Sequence, residues 1–468
     1  MGMRNDSQLR HPSDSTRHSK QARHRERKSS SPPTPPNDGG FLAAWQQLLG
    51  DFVPALRTRR GRKPRVPLLP FLAALVFHFM NPTGTLAEHF ALLFDDALND
   101  SSCASRRKRL PWEVFDELMR RTLRPRAQKR RHPESFWRGL LLIALDGVQF
   151  SLSNTPQVKR SAKKAQSRRG RAAFAKIVSS VLLEVGQHNP LAAVIGRRGE
   201  SEWELARRLL AHLPAGALLL ADRLHGCAAF VVEVLKAGRR VGSHFLIRAR
   251  TQIKSQTVRR LKDGSRLVRV PVRQKGKPQV ILEWLELREI RVQVHRPGHR
   301  PVALRLWTDL LDPRDAPAEE LVKLYAQRWE HELFYRQLKR QLRRGDLLAS
   351  HTVETGAQEI AALLLAASLL AAERARAANG EVEVLRVSFV KLLELLRPLW
   401  LVLALGADVL EEWQKEELSR RMYEQARRCL TPERRARSCP RAVRQPVSRW
   451  PRLMENESWT GPVTIKLR

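Results

Sequence analysis

One stretch of the sequence carries side chains whose types and spacing could serve a chemical site. It reads LVKLYAQRWEHELFYRQLKRQL (residues 321–342) and places Tyr325, Arg328, Glu332 and Lys339 in the spacing Y-(2)-R-(3)-E-(6)-K. The stretch lacks Pro and Gly and consists mostly of helix formers, which predicts one helix. At about 100° per residue, the four side chains would lie within roughly 60° of each other around the helix axis. A phenol, two cations and a carboxylate would then share one stripe.

An ordinary charged helix face explains the same stripe, because Arg328 and Glu332 have the spacing of an i,i+4 ion pair. For an isolated helix that interpretation is the commoner one. The adjacent flank is apolar and predicts packing into a core through Leu324, Phe334, Leu338 and Leu342. A chemical role for Glu332 therefore requires carboxylates elsewhere in the chain that are placed to meet it.

Two aspartates follow apolar runs of the kind found in buried strands. GLLLIALD (139–146) ends at Asp146, and ALLLAD (217–222) ends at Asp222. Open α/β sheets place their reacting groups at the carboxyl edge of the strands, so the two aspartates converge if their strands are neighbours. A helix packed across that edge can add Glu332. A single Asp after a strand is more often a turn or cap residue, so the prediction depends on all three carboxylates in matching contexts.

Three clustered carboxylates would repel one another, and their pKa values would rise unless cations neutralised them. Mg²⁺ is a hard cation that prefers carboxylate oxygens. Two such ions about 3.5–4 Å apart can activate a water or a 3′-OH and stabilise the leaving oxygen in phosphodiester chemistry. We therefore predict that Asp146, Asp222 and Glu332 are catalytic residues and ligands of two Mg²⁺ ions, with Mn²⁺ able to substitute.

The composition indicates a polyanionic partner. The 468 residues include 85 Lys and Arg against 47 Asp and Glu, a formal net charge of +38. Nucleic acid is the leading candidate for the partner, and an anionic membrane surface is the second. We expect no transmembrane span, because no uninterrupted apolar run reaches about 18 residues, and no secretory signal, because the N-terminus is polar. The four cysteines form no C-x-x-C pair, which fits a reducing cytoplasm.

Basic residues around the predicted site are candidates for contact with DNA phosphates. Seven cations lie between residues 159 and 171, which is typical of a solvated loop or of a phosphate-binding segment. Arg328 and Lys339 share the stripe of Glu332 and would face phosphates, and Tyr325 could pack against a sugar or donate to a phosphate. The predicted DNA-binding residues are Lys163, Lys164, Arg168, Arg169, Arg248, Arg250, Tyr325, Arg328 and Lys339.

The pattern of elements divides the chain into six regions. Residues 1–40 read as a disordered basic tail, and 41–132 as a helical N-terminal DNA-binding region. Within it, 68–80 and 85–94 form a helix–turn–helix candidate whose second helix begins with a Thr85–Glu88 capping box, although most such pairs only pack. The remaining regions are the two parts of an α/β core (133–249 and 311–385), an antiparallel β insertion (250–310), and a helical and basic C-terminal region (386–468).

The order of elements in the first part of the core is β-β-β-α-β-α-β, which predicts a mixed sheet with helices packed against it. Its strands are predicted at 139–146, 174–185, 191–196, 217–222 and 243–249, and its helices at 201–213 and 226–238. The insertion has four strand candidates, RLVRVPV, VILEWLEL, REIRVQV and PVALRLWT, with turns at KDGS, KGKP and RPGH. A long apolar helix (354–380) and a helical pair (387–406) follow.

From about residue 135 to 370 the sequence resembles DDE transposases of the insertion-sequence-four family. Three stretches carry the resemblance: LDGVQFSLSNTPQ (145–157), LLLADRLHG (218–226) and the complete Y-(2)-R-(3)-E-(6)-K motif. The long interval between Asp222 and Glu332 also fits, since that family inserts a β domain there.

The resemblance implies an RNase H-like catalytic core and two divalent metal ions. It also implies cleavage at transposon ends followed by 3′-OH attack on target DNA, carried out by a homodimer in a synaptic complex. The partner would be double-stranded DNA, as terminal inverted repeats and as target. The location would be the bacterial cytoplasm, in association with the nucleoid.

Some relatives hold a flipped base on a Trp in the β insertion, which makes Trp307 a further DNA-binding candidate. The position that matches this Trp is Leu304, and along a strand the two residues point to opposite faces. A core position for Trp307 is the alternative, and Trp284 is a second candidate for the stacking role.

Two other functions compete with transposition. One is sequence-specific DNA binding without catalysis, which the loss of an acidic residue would have favoured. The other is RNase H-like junction cleavage, against which the Tyr-Arg-Glu-Lys stripe and the β insertion speak. A junction nuclease cuts without joining, so a strand-transfer assay separates it from a transposase.

Overall fold

The computed structural model describes residues 40–52, 66–81, 83–96, 98–167, 170–294 and 302–432. Several expectations lie outside these residues. They are the disordered tail, the DNA contacts of Arg168 and Arg169, the RPGH turn, and the last part of the basic C-terminal region.

Thirteen α-helices occur in the described residues. They are α1 Phe41–Leu49, α2 Leu68–Met80, α3 Leu86–Phe94, α4 Asp100–Arg109, α5 Trp112–Thr122, α6 Pro156–Ser161, α7 Glu202–Leu209, α8 Ala228–Val241, α9 Ala318–Tyr325, α10 Trp329–Arg336, α11 Val353–Ala378, α12 Phe389–Leu405 and α13 Glu412–Arg428.

Twelve β-strands accompany them in the same part of the chain. They are β1 Phe136–Trp137, β2 Leu140–Ser151, β3 Gln166–Ser167, β4 Gly170–Arg171, β5 Lys176–Glu184, β6 Asn189–Ile195, β7 Ala217–Ala221, β8 His244–Arg248, β9 Gln256–Arg260, β10 Arg266–Gln274, β11 Lys277–Val294 and β12 Val302–Thr308.

The predicted helix pair in the N-terminal region is confirmed. α2 has the predicted bounds and buries most of its apolar residues. α3 begins at the predicted capping box, in which the Glu88 N–H donates to Thr85 Oγ1 (3.2 Å) and the Thr85 N–H donates to Glu88 (2.8 Å). α1 ends at Leu49, and the chain leaves the helix at Gly50, which has a φ of 57°.

The central sheet has the RNase H-like arrangement that the resemblance implied. Its order is β6-β5-β2-β7-β8, continued by β12-β11-β10-β9. β5 is antiparallel to both of its neighbours, whereas β7 and β8 run parallel to β2. If the five core strands are numbered by their order in the sequence, they lie across the sheet in the order 3-2-1-4-5. Only the second strand, β5, runs antiparallel to the others.

The antiparallel β insertion continues the core sheet. β12 pairs with β8 of the core, from Leu306↔Arg248 to Thr308↔Leu246, so one sheet runs through both regions. The predicted strands VILEWLEL and REIRVQV are one strand, β11, because no turn residue interrupts them. β9 was missed, since its residues, QTVRR, are all exposed and show no apolar alternation.

Helices cover both faces of the core strands. α7 and α8 pack on one face through residues such as Leu205 and Phe230. α9 packs on the other face through Leu321 and Leu324, beneath Leu142 and Ala144 of β2. α8 continues past the predicted end at Gly238 and stops at Gly242, whose φ is 62°.

The segment with the Y-(2)-R-(3)-E-(6)-K motif is not one regular α-helix as predicted. α9 passes through a 3₁₀ turn at Ala326–Arg328 into α10, and residues Gln337–Leu342 form a π-helical turn. These changes of helix type alter the angular spacing that a constant 100° step assumes. The predicted apolar flank is nevertheless buried, at Leu324, Phe334, Leu338 and Leu342.

α11 is the buried centre of the helical layer. It contacts α2, α5 and the sheet, and most of its 26 residues are buried. It is the one helix among the described residues that is long and apolar enough to cross a membrane, but 94% of its apolar window is buried inside the protein. The helical pair predicted at 387–406 is a single helix, α12, with Pro398 inside it.

The burial of α11 predicts a large cost for shortening one of its side chains. Leu364 is 0% exposed, so Leu364→Ala should lower the free energy of unfolding by about 2–5 kcal/mol through lost burial and a cavity. Leu405→Ala on α12 is the control, since Leu405 is 69% exposed and should change stability by less than about 0.5 kcal/mol. Chemical denaturation measures both; equal effects would contradict the packing of α11.

Candidate active site

The pairing of β2 with β7 brings the two predicted aspartates together. The parallel register runs from Leu141↔Ala217 to Leu145↔Ala221. Asp146 and Asp222 are therefore the next residues along the two neighbouring strands. Asp222 follows its strand, as predicted. Asp146 does not end its strand, because β5 continues to pair with β2 as far as Ser151↔Lys176. The divergence of β7 from β2 at this point leaves an open edge at the two carboxylates.

Arg328 connects the first aspartate to the predicted glutamate. Its Nη1 lies 3.4 Å from Asp146 Oδ2 and 3.8 Å from Glu332 Oε1. The Asp146 side chain is 13% exposed, and that of Glu332 is 45% exposed. The site therefore runs from a deep carboxylate to a carboxylate at the rim, with a guanidinium between them.

Asp146 lies in surroundings that favour its neutral form. Burial raises its pKa to about 7, and the charges of Asp222 and Glu332 act in the same direction. The Gly147 N–H, which donates to Asp146 Oδ1 (2.9 Å), and the Arg328 charge oppose this rise without cancelling it. The positive charge beside Asp146 is therefore too small to keep this carboxyl group fully ionised at neutral pH.

Asp222 has the opposite balance. Burial alone would raise its pKa, but hydrogen bonds from His225 and from the Leu224 N–H (2.7 Å) hold the pKa of Asp222 below its ordinary value. His225 Nδ1 lies 3.1 Å from Asp222 Oδ1 and is fully buried. Of the two aspartates, Asp222 therefore favours its charged form more strongly.

A fourth carboxylate, which the sequence analysis missed, also reaches this edge. Glu202 is the first residue of α7, and its carboxyl group lies against Gly147. Burial, followed by repulsion from Asp222, raises the pKa of Glu202, and Glu332 adds to the repulsion. In the sequence Glu202 looks like an ordinary acidic residue of a first helical turn, so only the packing of α7 on the sheet distinguishes it.

The tyrosines of the motif segment hold the backbone of the site. The Tyr325 hydroxyl donates to the Ala221 carbonyl (3.3 Å), and the Tyr335 hydroxyl donates to the Asp146 carbonyl (2.8 Å). Both rings are buried. The predicted contact of Tyr325 with a sugar or phosphate is therefore corrected, because its hydroxyl faces the strand that ends next to Asp222.

Several predicted DNA contacts are engaged within the protein. Lys339 Nζ lies 3.5 Å from Asp346 Oδ1 and 5.3 Å from the centre of the Phe150 ring. Arg248 donates to the Ala303 carbonyl (3.3 Å), and Arg250 donates to the carbonyls of Arg223 and Leu224. Arg250 therefore fixes the loop that follows Asp222.

The basic segment after α6 contains one exposed lysine and one lysine that is hydrogen-bonded within the protein. Lys163 is exposed, whereas Lys164 Nζ donates to the Ala173 carbonyl (2.6 Å). Burial and the neighbouring cations Arg171 and Lys159 lower the pKa of Lys164. Of these two lysines, Lys163 has the freer ammonium group.

Trp307 is a core residue, which corrects its predicted role in DNA binding. It is 0% exposed, and its Nε1 donates to Glu289 Oε2 (2.9 Å). Glu289 is held in turn by Arg305 at 2.7 Å. A base cannot stack on a ring that is buried between strands. Trp284, by contrast, is 43% exposed on β11.

The donor chemistry of the site fits a hard divalent cation. In the part of the chain that the structure describes, no group of three or more Asp, Glu, His or Cys side chains is arranged closely enough to coordinate a metal ion as it stands. Asp146, Asp222 and Glu332 nevertheless offer carboxylate oxygens at one edge, and the raised pKa of Asp146 shows that their charge is not fully balanced. A bound cation would remove this imbalance.

The fold and this edge define an RNase H-like α/β protein with an acidic site at the central strands. Residues 137–369 match the family model described as the transposase DDE domain. The chain is 30% identical over 275 residues to the transposase InsG for insertion sequence element IS4 of Escherichia coli (strain K12). The matched residues make up 58% of this chain and 60% of that relative. The chain is therefore similar to insertion-sequence transposases over its α/β core, and it spans about 60% of the length of this relative.

A solved structure is also similar over most of the chain. It is the cryo-EM structure of a piggyBac transposase synaptic complex with hairpin DNA, with a TM-score of 0.42 and 10% sequence identity. The match covers 81% of this chain and 84% of that one.

The raised pKa of Asp146 predicts how stability depends on pH without metal. The folded state keeps a proton on Asp146 up to about pH 7, whereas the unfolded state loses it near pH 4. Stability is therefore lost as the pH rises between these values, by about 1.4 kcal/mol per pKa unit. Asp146→Asn removes this ionisation, so in EDTA it should stabilise the protein more at pH 8 than at pH 5.

Thermal unfolding at the two pH values measures this difference. Asp315→Asn, at an exposed position of the same charge type, is the control and should show no such change between pH 5 and pH 8. A gain from Asp146→Asn that is equal at both pH values would contradict the buried, crowded state of this carboxylate.

Proposed function

We propose that this protein is a cut-and-paste DNA transposase that moves an insertion sequence. It would hydrolyse a phosphodiester at each element end with an activated water and then join the freed 3′-OH to target DNA. The observation that carries the proposal is the edge at which Asp146 and Asp222 follow one strand register and Arg328 connects Asp146 to Glu332. The match of residues 137–369 to the transposase DDE domain supports the same reaction.

The residues have separate roles in this proposal. Asp146, Asp222 and Glu332 hold two Mg²⁺ ions, for which Mn²⁺ can substitute. When bound, such ions lower the pKa of a water or a 3′-OH and stabilise the leaving oxygen. Arg328 balances the deep carboxylate before the metal binds and contacts the phosphate afterwards. Lys339 lies farther along the same helical segment and would have to leave Asp346 to contact the DNA backbone.

The DNA partner is proposed from charge. A formal net charge of +38 favours a polyanion, and Lys163 offers an exposed ammonium group in the segment after α6. The substrates would be the terminal inverted repeats of the element and a target duplex. The helical region before the core would hold the repeats, and the protein would act in the bacterial cytoplasm at the nucleoid.

A homodimer in the synaptic complex is part of the same proposal. The end of α12 and the start of α13 expose large apolar side chains, with Leu405 69%, Val409 80% and Trp413 66% exposed. Apolar side chains exposed to this extent close together in sequence are compatible with a protein interface. This supports a second copy of the chain as the partner.

The catalytic proposal predicts that Glu332→Gln separates cleavage from binding. With a linear DNA that carries the element's own ends and Mg²⁺, the wild type should nick at the ends. Glu332→Gln should reduce nicking at least about 100-fold, because one metal ligand is lost, while DNA affinity stays within a few-fold.

Glu319→Gln is the matched control, since Glu319 lies on α9 with its side chain 80% exposed and should leave both properties unchanged. Cleavage is followed on sequencing gels and binding by mobility shift. If the wild type binds the ends but never cuts with Mg²⁺ or Mn²⁺, the protein is a non-catalytic DNA-binding relative. Cleavage without joining would instead identify a junction nuclease.

The phosphate-contact proposal predicts a change in salt dependence. Lys163→Ala should weaken DNA binding and lower the slope of log K against log salt by about one, because one phosphate contact is lost. Lys323→Ala is the control, because Lys323 is paired with Glu319 at 2.7 Å on α9. Fluorescence anisotropy at several salt concentrations measures the slope; equal slopes for the two variants would remove Lys163 from the interface.

A further inference from the structure

Glu202 reaches the candidate site from the face of the sheet opposite to α9. It is the first residue of α7, and α7 packs with α8 on that opposite face. Ser201 caps the helix, and the Ser180 hydroxyl of β5 donates to the Glu202 carbonyl (3.3 Å). The backbone of Glu202 is therefore attached to the strand that pairs with Asp146.

Gly147 leaves the space that Glu202 occupies. A Cβ atom at position 147 would lie 2.2 Å from Glu202 Cδ, 2.4 Å from its Cγ and 2.6 Å from its Oε1, which no real contact allows. Gly147 has no positive φ, so its backbone does not require glycine. The missing side chain matters because it lets a carboxyl group pass beside the residue that follows Asp146.

Structural carboxylates elsewhere in this protein look different. Glu184 is also buried, but it accepts hydrogen bonds from the N–H groups of Arg126 and Ala127 and from Asn189. Glu202 has fewer partners: the backbone of Gly147 hydrogen-bonds to it, and among the described residues it forms no ion pair, while Asp222 and Glu332 lie close enough to repel its charge. A carboxyl group held beside like charges without a cation is not explained by folding alone.

The helical turn also does not require Glu202. An acidic residue in a first turn interacts favourably with the helix dipole, but Glu204 already serves this turn. The Ser201 N–H donates to Glu204 Oε2 (2.8 Å), and the Glu204 N–H donates to Ser201 Oγ (3.3 Å).

We propose that Glu202 is a fourth carboxylate of the divalent-metal site, joining Asp146, Asp222 and Glu332 from the opposite layer of the fold. The proposal rests on the proposed function, since it assigns a further ligand to the same site. Glu202 would contribute oxygen ligands beside Gly147, and its negative charge would be balanced by the cation rather than by a protein side chain.

The test compares Glu202→Gln with Glu204→Gln, using the full chain. Glutamine keeps the capping box at position 204, so Glu204→Gln should behave as the wild type. Binding of Mn²⁺ alone, followed by its electron paramagnetic resonance signal, should be at least about tenfold weaker in Glu202→Gln. Nicking of end-bearing DNA should fall with it, while the unfolding temperature stays at or above that of the wild type.

A second measurement uses only the wild type and so does not depend on how a variant folds. Fe²⁺ with ascorbate and peroxide cleaves a polypeptide next to the bound metal. Cuts are expected around residues 146–147, around 222, and around 201–203. Cuts at the two aspartates without any at 201–203 would overturn the assignment of Glu202.

The outcomes separate this inference from the proposed function. If Glu202→Gln binds Mn²⁺ and nicks DNA like the wild type while Glu332→Gln does not, Glu202 is not a ligand and the transposase proposal stands. If the wild type neither binds Mn²⁺ nor nicks DNA, the proposed function fails and the inference fails with it.

Discussion

The structure around the candidate site depends on mutual repulsion between carboxylates that the fold forces together. Parallel pairing of β2 with β7 places Asp146 and Asp222 side by side, each directly after the last paired residue of its strand. Neither can move away, because the strands below them are fully buried. Arg328 offsets part of the charge, and burial, together with the repulsion that remains, raises the pKa of Asp146 to about 7. Chemical function and stability are therefore in opposition at this edge.

Buried polar contacts hold this unfavourable arrangement in place. Two tyrosine hydroxyls bind the carbonyls of Ala221 and Asp146, and Arg250 binds the loop after Asp222. Farther along the motif segment, His188 lies between Glu330 (3.0 Å) and Gln337 (2.9 Å). The tyrosine and arginine contacts fix backbone rather than a reacting group, so they hold the Cα positions of the two aspartates.

The sequence predicted the parts of the fold that local patterns determine. α2 and the Thr85 capping box follow from apolar runs and hydrogen-bonding residues a few positions apart. The two aspartates followed from strand ends, although the strand of Asp146 continues. Glu202 could not be predicted, because its role depends on a helix lying over a glycine more than fifty positions earlier in the chain. Trp307 shows the same limit, since burial depends on the strands on either side of it.

The continuity of the sheet across β8 and β12 has a mechanical consequence. Backbone hydrogen bonds join the insertion to the strand beside β7 without an intervening linker. β11 is 18 residues long, which at about 3.3 Å per residue is on the order of 60 Å. The insertion is thus a stiff arm rather than a tethered module. A group carried by the arm, such as the exposed ring of Trp284, therefore keeps a set distance from Asp222.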